Sequence, residues 1–220
     1  MFYSFDGVDG AGKTTQMELF CGWLRELGVP VVSCRDPGST KLGEIIRSLL
    51  LERRDAPIHR RSEMLLYMAA RAQLVEEIIR PALSADKTVV CDRYLLANVV
   101  YQGHAGGLGP ESVWQVGEVA TAKVVPDLTF LLDMDERAAA ARIARAPDRM
   151  ESQGPEFLRQ VRQGYLREAA RRPEHILVID AARSVAEVQS EIRAAAQSAI
   201  PNPQSAIANP QSQPWPGVTS

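Results

Sequence analysis

An α/β protein built on a parallel sheet is what this chain predicts, and two observations predict it. Apolar runs of strand length recur at Phe2 to Phe5, Val29 to Cys34, Thr88 to Cys91, Leu128 to Leu132 and Ile176 to Ile179, separated by segments of helical periodicity. Directly after the first run stands a glycine-rich segment that opens a helical stretch. Strands alternating with helices form right-handed βαβ units, so we expect a five-stranded parallel sheet flanked by helices on both faces. Ligands then gather at the carboxyl ends of the strands.

The helices carry their own punctuation. The first, Thr15 to Leu27, is closed by Gly28; Ser62 opens a long central helix that Pro81 ends or kinks; Ser184 with Glu187 forms a capping box for the last. Between about residues 142 and 155 the periodicity fails in a stretch rich in charge, Gly and Pro, which marks a mobile lid. From residue 198 to 220 the chain repeats SAIPNPQ as SAIANPQ and ends in Pro, Gln, Ser and Asn. That composition predicts a disordered tail after a domain spanning 1–197.

With 220 residues, 45% of them hydrophobic, the chain suits one domain with a full core. Its 25 Lys+Arg against 27 Asp+Glu give no basic surplus for a nucleic-acid polymer or a polybasic membrane contact. Any anion site must therefore be built locally. Cys21, Cys34 and Cys91 are odd in number and far apart in the chain, which suggests buried free thiols rather than disulfides or a zinc site. The apolar start, Met1 to Phe5, is too short for a signal peptide or a membrane span, so a cytoplasmic protein is expected.

The glycine-rich segment Gly7-Val8-Asp9-Gly10-Ala11-Gly12-Lys13-Thr14 matches the phosphate-binding pattern G-x-x-x-x-G-K-[ST] in its proper strand-to-helix setting. A triphosphate must lie against bare backbone: glycines admit the approach, and successive N–H groups with the helix N-terminus solvate the anion. Lys13 supplies a point charge to the β- and γ-phosphates. Thr14 and Asp92, at the ends of their elements, are the candidate oxygen ligands for Mg²⁺ carried with ATP. No Asn-Lys-x-Asp guanine reader is present. The third strand instead leads into Asp92-Arg93-Tyr94 and then Asn98, Tyr101 and Gln102, which is equipment for a second substrate.

The successive motifs GVDGAGKTTQ, RDPGST, LLYMAAR, DRY with YQG, and PDLTFLLDMD resemble those of the bacterial thymidylate kinases, in that family's order, from Phe2 to about Ile179. The resemblance implies the P-loop nucleotide-kinase fold and transfer of a phosphate from ATP to dTMP, yielding dTDP for dTTP synthesis. It also implies a homodimer packed through helices, with which Trp114 is compatible. By the same resemblance Asp9 binds the sugar 3′-hydroxyl or a positioning arginine, and Arg93 clamps the acceptor phosphate with Arg47 as its partner. Tyr67 stacks on thymine while Arg71, one turn further on, hydrogen-bonds its carbonyl; Asn98, Tyr101 and Gln102 line the base and deoxyribose. The family's bacterial branch carries its extra cation in the lid, here Arg145 and Arg149, with Arg142 equally suited to a surface helix. Three positions depart from the family pattern: Asp6 and Asp36 stand for Glu, and Ala97 for a hydroxyl residue. The alternatives are a related nucleotide or deoxynucleoside kinase, or a P-loop protein that binds nucleotide without turnover.

Overall fold

The computed structural model describes residues 1–52, 57–143, 149–150 and 153–199. Five parallel strands, β1 (Phe2–Asp6), β2 (Val31–Arg35), β3 (Thr88–Asp92), β4 (Leu128–Asp133) and β5 (Ile176–Asp180), pair in the order β2-β3-β1-β4-β5. This is the expected sheet, and every strand ends one residue later than its apolar run, on Asp or Arg. A polar residue thus stands at each carboxyl end. The order also separates the connection that leaves β1 toward β2 from the one that leaves β3 toward β4, and a cleft opens at such a divergence.

β1 is buried along its whole length, as a central strand covered on both faces must be. Tyr3 and Phe5 point to one face and meet Phe20 of α1 (Lys13–Glu26) and Phe130 of β4, with ring centroids 5.1–5.8 Å apart. Phe2 points to the other, where its ring meets Tyr94 edge-on at 5.0 Å. Ser4 and Thr129, also in the core, satisfy one another through a 2.8 Å hydroxyl hydrogen bond.

The remaining helices are α2 (Lys41–Leu51), α3 (Arg60–Leu74), α4 (Arg80–Ser84), α5 (Leu95–Asn98), α6 (Pro110–Thr121), α7 (Glu136–Ala141), α8 (Pro155–Arg171) and α9 (Val185–Ala199). Gly28, at φ +76°, closes α1 with its N–H on the Arg25 carbonyl at 2.9 Å. The capping box forms: Ser184 N–H donates to Glu187 at 3.0 Å and Glu187 N–H to Ser184 Oγ at 3.3 Å.

Two expectations need correction. Ser62 does not open the central helix: Glu63 N–H already bonds the His59 carbonyl at 2.9 Å, and His59 Nδ1 accepts from Arg61 N–H at 3.4 Å. The ladder therefore starts two residues earlier, and Ser62 lies inside its first turn. Of the two outcomes expected at Pro81, an end or a kink, the end is not found: a π-helical turn, Val75–Ile79, joins α3 to α4, which runs to Ser84. The wider turn relieves the clash between a proline ring and the preceding carbonyls.

The three thiols are buried and free. Cys34 and Cys91, distant in the chain, are register partners on β2 and β3, and burial pushes the Cys91 thiol well up. Among the described residues no helix is long and apolar enough to cross a membrane. The tail expected from residue 198 begins later than that, because α9 continues through Ala199; residues 200–220, and residues 144–148 and 151–152 of the lid, lie outside the described residues.

Candidate functional site

The phosphate-binding segment leaves β1 at Asp6 and enters α1 at Lys13. Gly7, Gly10 and Gly12 have φ of +136°, +85° and +90°, a range that L side chains avoid. A Cβ on Gly10 would also stand 2.0 Å from the Ala139 carbonyl of α7. No longer residue fits at position 10, so the backbone of α7 itself excludes a cation there. No side chain caps α1 and no acid lies in its first turn, so its leading N–H groups face the cleft and suit an anion.

Lys13 is buried, and its ammonium donates to the carbonyls of Gly7 (3.1 Å) and Val8 (2.9 Å) and to Asp9 Oδ1 (3.3 Å). Burial lowers its pKa, with Arg93 adding to the shift and the three carboxylates nearby opposing it. Asp9 also accepts from Arg93 Nη2 at 2.6 Å. Burial works to raise the Asp9 carboxyl, but Arg93 and Lys13 overcome it and hold the group well below the usual range.

Arg93 follows β3 directly and sits at φ +65°, a strained conformation for a residue with a side chain. Its Nη1 donates to Tyr165 Oη at 3.0 Å, and its Cζ lies 5.3 Å from the centre of the Tyr101 ring. Tyr165, on α8, donates in turn to Asp6 Oδ1 at 3.2 Å, a contact across 159 residues. Sequence reasoning missed Tyr165. In the α8 pattern Phe157, Val161, Tyr165 it reads as one more core residue, and nothing local distinguishes it.

Asp6 is fully buried and its Oδ2 has no partner among the described residues. Burial raises its pKa from 3.8 to about 6, with Arg93 and Lys13 restraining the rise. A carboxyl whose folded pKa exceeds its unfolded one binds its proton more tightly when folded. Stability is thus lost as pH rises from about 4 to about 6, by on the order of 3 kcal/mol, and the cost persists above that window. We therefore expect Asp6→Asn to flatten this part of the stability profile and to be more stable than the wild type at pH 7. Urea melts of both proteins between pH 4 and 7 check this; parallel curves would refute it.

Two cavities meet at these groups. One is lined by the phosphate-binding segment with Thr15, Asp92, Arg142 and Ile143. The other is lined by Tyr67, Arg71, Ala97, Asn98, Tyr101 and Gln102 among others. Asp9, Asp36, Arg47 and Arg93 line both. Arg47 is held by the Pro37 carbonyl at 3.0 Å.

In the second cavity Arg71 is buried, and its Nε donates to Asp36 Oδ2 at 2.6 Å. Asp36, shorter than the residue usual at its position, still reaches this arginine. Arg71 Nη1 donates to Asn98 Oδ1 (3.0 Å) and Met68 Sδ (3.1 Å), and Nη2 to the Tyr94 carbonyl (3.4 Å). Four of its five N–H groups are thus engaged, leaving one Nη2–H among the described residues for a ligand. Tyr101 and Gln102 come from a π-helical segment, Val99–Ala105, that continues α5. Local widening of this kind often occurs at functional sites.

Two hard oxygen donors suit a divalent cation. Thr14 Oγ1 lies 3.4 Å from Asp92 Oδ2, and Asp92 Oδ1 is buried without a partner among the described residues. Among the described residues no cluster of three or more His, Cys, Asp or Glu could hold a metal by itself, so phosphate oxygens and water would have to complete the shell.

Of the lid cations, Arg145 lies outside the described residues. Arg149 lines a neighbouring cavity behind Tyr101 and Gln102, where Nε donates to the Leu50 carbonyl at 2.6 Å and the guanidinium pairs with Glu63. Arg142 lines the first cavity, with Nη1 on the Ala181 carbonyl at 3.4 Å. Trp114 is engaged within the chain, donating to Glu168 at 3.0 Å with Arg172 over its ring.

A family model described as thymidylate kinase matches residues 5–192. The chain is 44% identical to a thymidylate kinase of Symbiobacterium thermophilum over 202 residues, covering 91% of this chain and 94% of that one. It is 46% identical to one of Cutibacterium acnes over 193 residues, covering 88% and 94%. A crystal structure of thymidylate kinase from Ehrlichia chaffeensis superposes with a TM-score of 0.73 at 33% identity, over 90% of this chain and 98% of that one. On motif order, strand order and this similarity over nearly its whole length, the chain belongs to the thymidylate kinase family.

Proposed function

We propose that the reaction of this family, ATP + dTMP → ADP + dTDP, runs here by direct in-line transfer between two nucleotides held in the adjoining cavities. The observation that carries this reading is the shared wall: Asp9, Arg47 and Arg93 line both the phosphate-binding cavity and the one containing Tyr67 and Arg71. An acceptor phosphate gripped by Arg93 and Arg47 would lie against a triphosphate held by the amides of Gly7 to Thr14. One of its oxygens attacks the γ-phosphorus while the bond to the β,γ-bridging oxygen breaks, with no covalent enzyme intermediate. Lys13 stabilises charge on the transferring group, and Asp9 fixes the Arg93 fork by accepting from one of its arms.

Thr14 and Asp92 would hold Mg²⁺, which when bound offsets charge on the phosphate oxygens. Tyr67 supplies a face for the base, Arg71 its remaining N–H to a base carbonyl, and Asn98, Tyr101 and Gln102 the walls around base and sugar. Lid closure over the donor brings in the cations: Arg142 already lines the donor cavity, Arg145 belongs to the same segment, and Arg149 would have to exchange Glu63 for phosphate. Excluding water from the closed site favours transfer over hydrolysis.

The catalytic domain is taken as 1–197 with a tail after it, in a cytoplasmic homodimer. Exposed Ile45, Leu65 and Val119 on α2, α3 and α6 supply apolar surface for the dimer contact. A coupled ADP-release assay with a panel of nucleoside monophosphates tests the activity. Stimulation by dTMP above the other acceptors is expected, and turnover with a different monophosphate instead would move the specificity.

A further inference from the structure

Beneath the proposed base site a run of buried hydrogen bonds has donors at one end and acceptors at the other. Arg71 Nη1 donates to Asn98 Oδ1 at 3.0 Å, Asn98 Nδ2 to Gln102 Oε1 at 2.5 Å, and Gln102 Nε2 to Glu63 Oε1 at 2.8 Å. All four side chains are buried, at 1–6% exposure, so water does not compete for these contacts. Arg71 can only donate, and a carboxylate can only accept. The two amides between them therefore have one consistent orientation: turning either over would set two donors or two acceptors against each other in a dry site.

We infer that Glu63 is a specificity-positioning residue, setting the polarity of the Asn98 amide and so which pyrimidine edge the cavity accepts. This rests on the reading above, in which Arg71 and Asn98 meet the base. With the chain polarised, Asn98 directs its carbonyl oxygen to the Arg71 side. That oxygen has a second lone pair, beside the one Arg71 N–H that remains. A donor next to an acceptor complements a keto pyrimidine, whose carbonyl accepts and whose N3–H donates. It opposes cytosine, whose exocyclic amine donates and whose N3 accepts. Glu63 itself need not touch the base; it acts through Gln102. Its other oxygen is occupied by Arg149, a residue of the lid segment.

Glu63→Gln is the direct test. A glutamine can turn either its oxygen or its NH₂ toward Gln102, so the acceptor-only end of the chain is lost while shape is kept. The ratio of kcat/KM for dTMP to that for dCMP should fall about tenfold, chiefly through KM for dTMP, as expected when a buried charge-assisted hydrogen bond is lost. The Kd for ATP, by calorimetry, should be unchanged. An unaltered ratio overturns the inference. Arg149→Met separates the amide chain from the ion pair. Whatever it does to turnover, it should keep the wild-type ratio, and a fall equal to that of Glu63→Gln would assign the effect to the ion pair and overturn the chain. If Glu63→Gln does not fold, Gln102→Met removes the middle link; the same fall is expected, and an unchanged ratio refutes the inference equally. A wild type that does not phosphorylate dTMP would take down the functional reading and this inference together. A dTMP-selective wild type with an equally selective Glu63→Gln ends this inference alone.

Discussion

Arg93→Ala is expected to lower kcat/KM for dTMP by about three orders of magnitude, or about 4 kcal/mol of transition-state stabilisation, while ATP still binds. The backbone of Arg93 occupies a left-handed conformation, and such strain persists only where the surroundings over-determine it. Here Asp9 holds one arm at 2.6 Å, Tyr165 holds the other at 3.0 Å, and the Tyr101 ring packs beneath the plane. Burial disfavours the charge, but Asp9 and the neighbouring groups raise its pKa well above the ordinary value, so the cation is always present. The fork is thus oriented before the acceptor phosphate arrives, and little reorganisation remains for the transition state. Lysine would not substitute, since one ammonium cannot serve Asp9, Tyr165 and a phosphate in those directions. Steady-state kinetics with calorimetry of ATP separates the two binding events, and a thermal melt checks the fold, because removing Arg93 leaves Asp9, among the described residues, with Lys13 as its remaining ion-pair partner. Retention of most of the activity in Arg93→Ala would contradict the clamp.

What was legible in the sequence follows from how far each determinant reaches along the chain. The phosphate-binding segment is local: eight consecutive residues carry both the glycine conformations and the chemistry, and the structure has them in a cradle at the head of α1. The three central strands, β1, β3 and β4, were legible because each is buried on two faces, or nearly so, and reads as a short apolar run, whereas the edge strands β2 and β5 are only partly buried and were legible through their Val, Ile and Leu content. Tyr67 and Arg71 could be placed on one helical face by their spacing, and both line the same cavity. Tyr165 and Glu63 were not legible, because their meaning depends on partners that the fold brings from afar. Asp6 lies 159 residues from Tyr165, and Gln102 lies 39 from Glu63. A tyrosine at core spacing and a glutamate in a first helical turn have ordinary local explanations. The π-helical turns escaped for a related reason: they arise from packing and from the proline that follows one of them, and they leave the apolar periodicity nearly intact. Arg149 shows the same limit from the other side, since a cation beside a lid can be drawn toward any buried carboxylate within its reach, and here Glu63 is that carboxylate.

Lys13→Ala should be as severe as the arginine change but should fail in a different place, with turnover reduced by about three orders of magnitude for every acceptor. Its ammonium is buried at the turn between β1 and α1, and each of its three protons has an acceptor: two loop carbonyls and Asp9. The longest of these is the 3.3 Å contact with Asp9, the one most readily exchanged for a phosphate oxygen when a triphosphate enters. The two carbonyl bonds would then keep the charge aimed along the loop. Burial lowers the lysine pKa, and a γ-phosphate would work in the opposite direction, so nucleotide binding should favour the charged form. Two consequences separate Lys13 from Arg93. Removing Lys13 should weaken ATP, measured by calorimetry, and leave the ranking of acceptors unchanged, because no acceptor-specific contact is lost. Lys13→Arg should rescue poorly, since a planar guanidinium is larger than an ammonium and cannot satisfy two adjacent carbonyls and a phosphate from a buried point. If Lys13→Ala instead altered the preference among monophosphates while ATP bound normally, the donor and acceptor halves of the cleft would have to be exchanged.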